Sequence, residues 1–281
     1  MWPVPRPLYA GWDVLNFYVA CIVSSRSKDR RVRLTHCGQD VREAAERYES
    51  AAIFGELHRL KDLEDQPDDD VVRSDLLWAY DRGLVQNDAG RRHYDELLAR
   101  APQGRCPFCG HRDVSTLDHQ LPKASYPLLA VVPDNLVPAC FECNHRKNDA
   151  VATTTATQIL HPYFEDASRG RWLFARVVSF DPVAFLYFAE PDPTFTATMQ
   201  ARIRHQFTQF RLATLYGTQA SRQITGEQLR LKQLRQKGGP AAVSEHLHET
   251  AASWAATSVN CWQHAMYEAL ATNPDYLGDN S

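Results

Sequence analysis

The sequence predicts an α+β chain, mainly helical, with a small non-helical core in its middle and a β-hairpin after it. Three observations predict this. Apolar residues recur at helical spacing on both flanks of the chain. Between those flanks two Cys-x2-Cys pairs, Cys106/Cys109 and Cys140/Cys143, bracket a stretch rich in turn residues. Two runs of aromatic and β-branched residues then flank the turn dipeptide Asp181-Pro182.

In chain order, the proline-rich opening MWPVPRP reads as an extended lead-in. Residues 12–23 (WDVLNFYVACIV) are apolar and long enough for a buried helix. Residues 41–60 give the clearest early helix, with Ala44, Tyr48, Ala51 and Ala52 at helical spacing. The acidic run in EDQPDDDVV suits a loop or a helix start, where carboxylates complement the dipole. Two more helices are expected over residues 71–84 and 88–101, so about four precede the paired cysteines. After the core, WLFARVVSF and AFLYFAEP form the hairpin. Ile203, Phe207 and Phe210 then mark an apolar helix face. Gly238-Gly239-Pro240 ends one helix and starts another, the last helices run to about Ala271, and the tail TNPDYLGDNS is expected to fray. This divides the chain into a helical region (1–101), a cysteine-bracketed core (102–165) and a hairpin with helices (166–281).

Composition is that of an ordinary globular protein, 44 % apolar and 23 % charged, with net charge −3. No global positive field advertises a polyanionic partner, so any nucleic-acid contact must rest on a local patch or a partner. No basic leader precedes an apolar stretch at the start, and no apolar run is long enough for a membrane span. A cytoplasmic protein is the expectation, with no membrane partner.

Seven cysteines, an odd number, argue against a disulfide scaffold. Cys21, Cys37 and Cys261 read as buried thiols. Cys106, Cys109, Cys140 and Cys143 present the four thiolates that a tetrahedral Zn²⁺ prefers. A four-thiolate site keeps no open position, so this zinc is structural and clamps the ends of the stretch between the pairs.

Within and just beyond that clamp stands STLDHQLPK…PDNLVPACFECNHRKN. It resembles the four-cysteine zinc form of the HNH, or ββα-metal, endonuclease superfamily, from Cys106 to Asn148. The resemblance implies a zinc-stabilised ββα-metal core. It implies His119 as general base, for which an imidazole near its ordinary pKa is suited. It implies Asp118 and Asn144 as oxygen ligands of a catalytic Mg²⁺ or Mn²⁺, and Asn135 as the residue that fixes the turn carrying His119. The superfamily often has histidine where this chain has Asn144, and the adjacent His145 is the competing ligand. Lys123 and Lys147 are candidate phosphate contacts, with Lys147 alternatively a helix-face anchor. Since strand neighbours point to opposite faces, Asp118 and His119 should lie at a strand end or bulge, with Pro122 ending the strand.

Plainer readings win elsewhere. His111 reads as a surface residue, His161 as a packed turn histidine, and His246 and His248 as two residues on separate helix faces. Phe207 and Phe210 read as core rather than as a stacking platform, and the acidic run lacks EF-hand spacing. The overall organisation is similar to HNH nucleases of anti-phage defence modules such as the Septu type. That implies a protein partner, an ATPase or guide-loaded subunit. The function expected is phosphodiester hydrolysis in nucleic acid, DNA foremost. The competing expectation is a noncatalytic zinc-stabilised subunit that binds nucleic acid or protein.

Overall fold

Ser27 and Asp69 each end an extended segment and accept a hydrogen bond from the first turn of a helix, as N-caps do. In the computed structural model, which describes residues 2–7 and 11–278, the flanking periodicity becomes helix on both sides of the cysteine pairs. The described residues divide into two compact units, 1–166 and 167–281.

The first unit contains α1 (Gly11–Ile22), α2 (Lys28–His36), α3 (Gly38–Ile53), α4 (Asp70–Trp78) and α5 (Asp88–Leu98). Five helices therefore precede the cysteines among the described residues, where the periodicity suggested four. The addition, α2, buries only Leu34. Tertiary pairing holds it: Arg30 and Arg33 each reach the buried carboxylate of Asp75 on α4 at 2.7 Å. The helix expected over 41–60 stops at Ile53, because Gly55 takes a left-handed φ of +67° that turns the chain. Leu57–Arg59 then forms a separate 3₁₀ turn. The helix expected over 88–101 ends at Leu98.

A wide π-helical turn, Ala79–Leu84, continues α4. Gly83 in this turn touches the α1 backbone so closely that an added Cβ would overlap the Cys21 carbonyl. The close approach fixes Tyr80 and Asp81 where the turn presents them. π turns concentrate at functional sites.

Two short antiparallel strands follow, β1 (Thr116–His119) and β2 (Leu136–Ala139), with Asp118 opposite Val137 and His119 opposite Leu136. Pro138 is tolerated because the sheet has only two strands and leaves an edge free. α6 (Phe141–Lys147) starts directly after β2. Leu117, Leu121, Tyr126, Leu129 and Leu136 share one core cluster with Phe17, Tyr48 and Leu76 of the helices. The boundary expected at 101/102 is thus no break in packing, and residues 102–165 complete the helical unit. The lead-in forms neither helix nor strand over its described residues, 2–7, and is pinned along its length. Trp2 N–H donates to Pro107 and Val4 N–H to Pro162, and Arg6 forms a bidentate pair with Asp134.

The second unit opens with the hairpin β3 (Leu173–Phe180) and β4 (Val183–Ala189), turned at Asp181-Pro182 as the sequence suggested. α7 (Ala197–Gln209) buries Ile203 and Phe207, and Phe210 beyond its end is buried too, all as core. α8 (Leu212–Thr257) is broken at Gly239, which is non-helical at φ +70°, so Gly239-Pro240 joins two helical arms. α9 (Trp262–Ala271) packs with the hairpin, where Tyr187 Oη donates to the Trp262 carbonyl at 2.8 Å. The tail is not frayed through residue 278. Asn273 caps α10 (Pro274–Leu277) and Leu277 is buried; the last three residues of TNPDYLGDNS lie outside the described residues. No helix among the described residues is long and apolar enough to cross a membrane.

Candidate functional site

The two cysteine pairs meet. The Sγ atoms of Cys106, Cys109, Cys140 and Cys143 all lie within 4.8 Å of one another, and all four residues are buried. Four sulfurs at about 2.3 Å from a common centre would sit about 3.8 Å apart, so the cluster can close on one ion. The thiols are unbridged. A soft, four-sulfur donor set suits Zn²⁺ in a structural role.

The local chain explains why these sulfurs converge. Gly110 at φ +58° lets its N–H reach back to the Cys106 carbonyl at 2.7 Å, closing the first turn. Cys140 is the N-cap of α6 and its sulfur accepts from the Cys143 N–H. Arg112 pairs with Glu142 at 3.1 Å and ties the two turns together. Over the first turn lies Trp2, so close that a Cβ on Gly110 would enter its indole ring.

β1, the loop that follows it, α6 and the π turn then frame a cleft of about 410 Å³. Tyr80, Asp118, His119, Lys123, Asn144 and His145 line it, with Phe141 and Asp149 also at its wall. Asp118 and His119 are the last two residues of β1, so both reach one cleft from a strand end.

Asp118 is 3 % exposed. Its Oδ1 accepts from the Lys147 ammonium at 3.2 Å, while its buried Oδ2 has no hydrogen-bond partner. Burial raises its pKa to about 6, against the opposing pull of Lys147. An orphaned, buried carboxylate oxygen costs free energy unless something completes it. Asn144, half-buried on α6, adds a second oxygen donor to the same wall. A hard divalent cation fits this oxygen set.

His119 Nε2 lies 2.8 Å from the Ala130 carbonyl, which can only accept. The neutral imidazole therefore carries its proton on Nε2 and keeps a lone pair on Nδ1. Burial pushes its pKa down to about 3, with the Ala130 hydrogen bond opposing. The ring packs edge-on against Tyr80, centroids 4.4 Å apart.

Asn135 does not line the cleft. It is fully buried and staples the loop between the strands: Oδ1 accepts from Leu121 N–H at 2.7 Å, and Nδ2 donates to the Leu121 and Leu129 carbonyls. Ala130, the partner of His119, follows Leu129, so the staple sets the carbonyl that orients the imidazole.

The two lysines part company. Lys123 lies at the cleft, over the Tyr80 ring at 4.5 Å and paired with Asp81. Lys147 is 4 % exposed, and its ammonium donates to Asp118 and, at 2.6 Å, to the His119 carbonyl, the contacts of a helix-face anchor. His145 is exposed and stacks on Phe141. His161 is fully buried away from the cleft, bonded to Tyr48 and the Asp134 carbonyl. Sequence reasoning missed Tyr80, Phe141 and Asp149 as cleft residues. Tyr80 gives no local signal, because only the π turn brings it there; Phe141 could have been found as an aromatic fixed between two cluster cysteines.

Over 206 residues, 68 % of this chain and 69 % of the relative, the sequence is 29 % identical to Protein ea31 of Escherichia phage lambda. No family model and no solved structure matches the chain.

Proposed function

We propose that the cleft is the active site of a metal-dependent endonuclease of the HNH, ββα-metal kind, hydrolysing phosphodiester bonds in nucleic acid, DNA foremost. One observation carries the reading: the unpartnered buried Oδ2 of Asp118 shares a cleft with a neutral imidazole whose lone pair is on Nδ1.

Asp118 and Asn144 would hold Mg²⁺ or Mn²⁺, with His145 as the competing ligand. That cation, when bound, supplies neutralisation of the charge that develops on the scissile phosphate and leaving oxygen. His119 Nδ1 takes the proton from the attacking water. Its depressed pKa keeps it unprotonated beforehand, and the anionic phosphate supplies the counter-charge that an imidazolium lacks in the buried free site. Asn135 and Lys147 position these groups. The net charge of −3 agrees with a protein partner, such as an ATPase or guide-loaded subunit of a defence system, that delivers the substrate.

The noncatalytic reading, a zinc-stabilised binding subunit, needs only the cysteine cluster. The specific observation on its side is Lys147, whose ammonium sits against Asp118 where a ligand must accept a cation. Nicking of supercoiled plasmid and of a single-stranded DNA circle, each with Mg²⁺ or Mn²⁺, separates the two. Nicking by the wild type that falls at least about a hundredfold in His119→Ala, with zinc retained, supports catalysis. Equal nicking by His119→Ala would remove it as the base. Absence of Mn²⁺ binding and of nicking on either the plasmid or the single-stranded circle, with partner present, would leave the binding subunit.

A further inference from the structure

We propose that Phe141 is a base-stacking residue, and that the cleft accepts an unpaired nucleobase next to the phosphate it acts on. The inference rests on the nuclease reading of the cleft and names its substrate class: a single strand, or a strand with an unpaired nucleotide, rather than an intact duplex.

Phe141 is 68 % exposed, and only Phe54 and Leu229 are more exposed among the described large apolar side chains. It therefore packs little of the core. It is also held in place, because it stands between Cys140 and Cys143, both parts of the metal-binding cluster. Its ring is parallel to the His145 imidazole, 4° between planes with centroids 5.9 Å apart. Both rings border the cleft that holds Asp118 and His119. The other cleft aromatic, Tyr80, is spent on packing: it is buried, edge-on to His119 and beneath Lys123.

Charge in the cleft points the same way. Lys147 is buried against Asp118, and Lys123 is neutralised by Asp81. Phosphate neutralisation by these lysines is therefore a small source of affinity. A fixed aromatic face is a different source, and it favours any base whose own face is free. In a duplex each base face is covered by its neighbours, so the platform selects unpaired nucleotides.

The test uses the full chain with zinc bound and no added Mg²⁺ or Mn²⁺, so that binding is read without cleavage. Single-stranded DNA and single-stranded RNA oligonucleotides carrying 2-aminopurine are titrated, beside a blunt DNA duplex. The wild type should quench the fluorophore and prefer a single strand to the duplex. Phe141→Ala and Phe141→Leu should each weaken single-strand binding about tenfold and lose the quench. Phe141→Trp should retain both. The leucine variant keeps apolar bulk without a π face, which separates stacking from mere contact. The DNA and RNA arms tell which strand supplies the base. Equal binding by wild type and Phe141→Leu, a preference for duplex, or no binding of either single strand would overturn the proposal. Nicking is scored separately. A stacking failure with His119-dependent nicking intact removes only Phe141, whereas intact quenching without nicking removes the catalytic reading instead.

Discussion

The cysteine cluster and the cleft share α6 and differ in how far the protein completes them. Cys140 and Cys143 close the cluster with four mutually facing sulfurs. Asn144, His145 and Lys147 border or brace the cleft, where one Asp118 oxygen is paired and the other has no partner. A site finished by the chain holds structure, whereas an unfinished one stores a demand for a ligand. The comparison can be broken from either side.

The largest effect belongs to the cluster. Zinc removal by a chelator, or Cys143→Ser, should abolish the cooperative unfolding transition of residues 1–166, because structural zinc contributes on the order of 10 kcal/mol of folding free energy. Calorimetry with metal analysis checks this. The second unit has its own core around Trp172, Tyr187, Tyr216 and Tyr267, and its transition should persist. A first unit that melts unchanged without zinc would show that the cluster is not its clamp.

Next comes the paired half of Asp118. Lys147→Met leaves a buried carboxylate without its cation and should cost about 3–5 kcal/mol at pH 7.5. The sign with pH follows from the raised pKa. Asp118 protonates in the folded state below about 6, and losing Lys147 raises that value further, so at pH 5 the stranded group is neutral and the penalty shrinks. The double variant Asp118→Asn/Lys147→Met should recover most of the loss. Denaturant midpoints at the two pH values decide it, and a pH-independent penalty would mean that Lys147 acts through packing alone.

How much of this was legible follows the same division. The cluster was legible because tight spacing is a local property, and Cys-x2-Cys turns converge wherever their loops close. Asp118, His119 and Asn144 were legible as residues, and the structure gathers them at one cleft. What stayed hidden depends on distant chain. α2 has almost no apolar face, and its anchor is Asp75 more than forty residues away. Tyr80 reaches the cleft through a π turn that no residue pattern announces. Lys147 read equally as a phosphate contact or a helix-face anchor because sequence shows a charge but not its burial.

Gly110→Ala probes the seam between the cluster and the lead-in. The position needs φ +58°, and the new methyl would strike Trp2. A loss of about 2 kcal/mol is expected from strain and displacement together. Trp2→Ala in the same background should return the steric share and leave the backbone share. Thermal melts of the single and double variants measure the coupling, and strictly additive losses would show that Trp2 does not seal the turn.

The smallest effect lies at the open rim of the cleft. Asp81 holds Lys123 in an ion pair whose partners are 53 % and 30 % exposed, so Asp81→Asn should change stability by less than about 1 kcal/mol. Its consequence should appear in ligand binding. With Asp81 neutral, Lys123 can engage a phosphate, and the slope of log affinity against log salt should steepen by roughly 0.7 for a single strand. Fluorescence titrations of the same oligonucleotide from 50 to 200 mM salt read this directly. A steeper slope with the Phe141-dependent quench unchanged would make charge and stacking separate contributions to one cleft. An unchanged slope would assign Lys123 to the Tyr80 ring, as one more brace behind His119, and leave stacking as the cleft's main hold on its ligand.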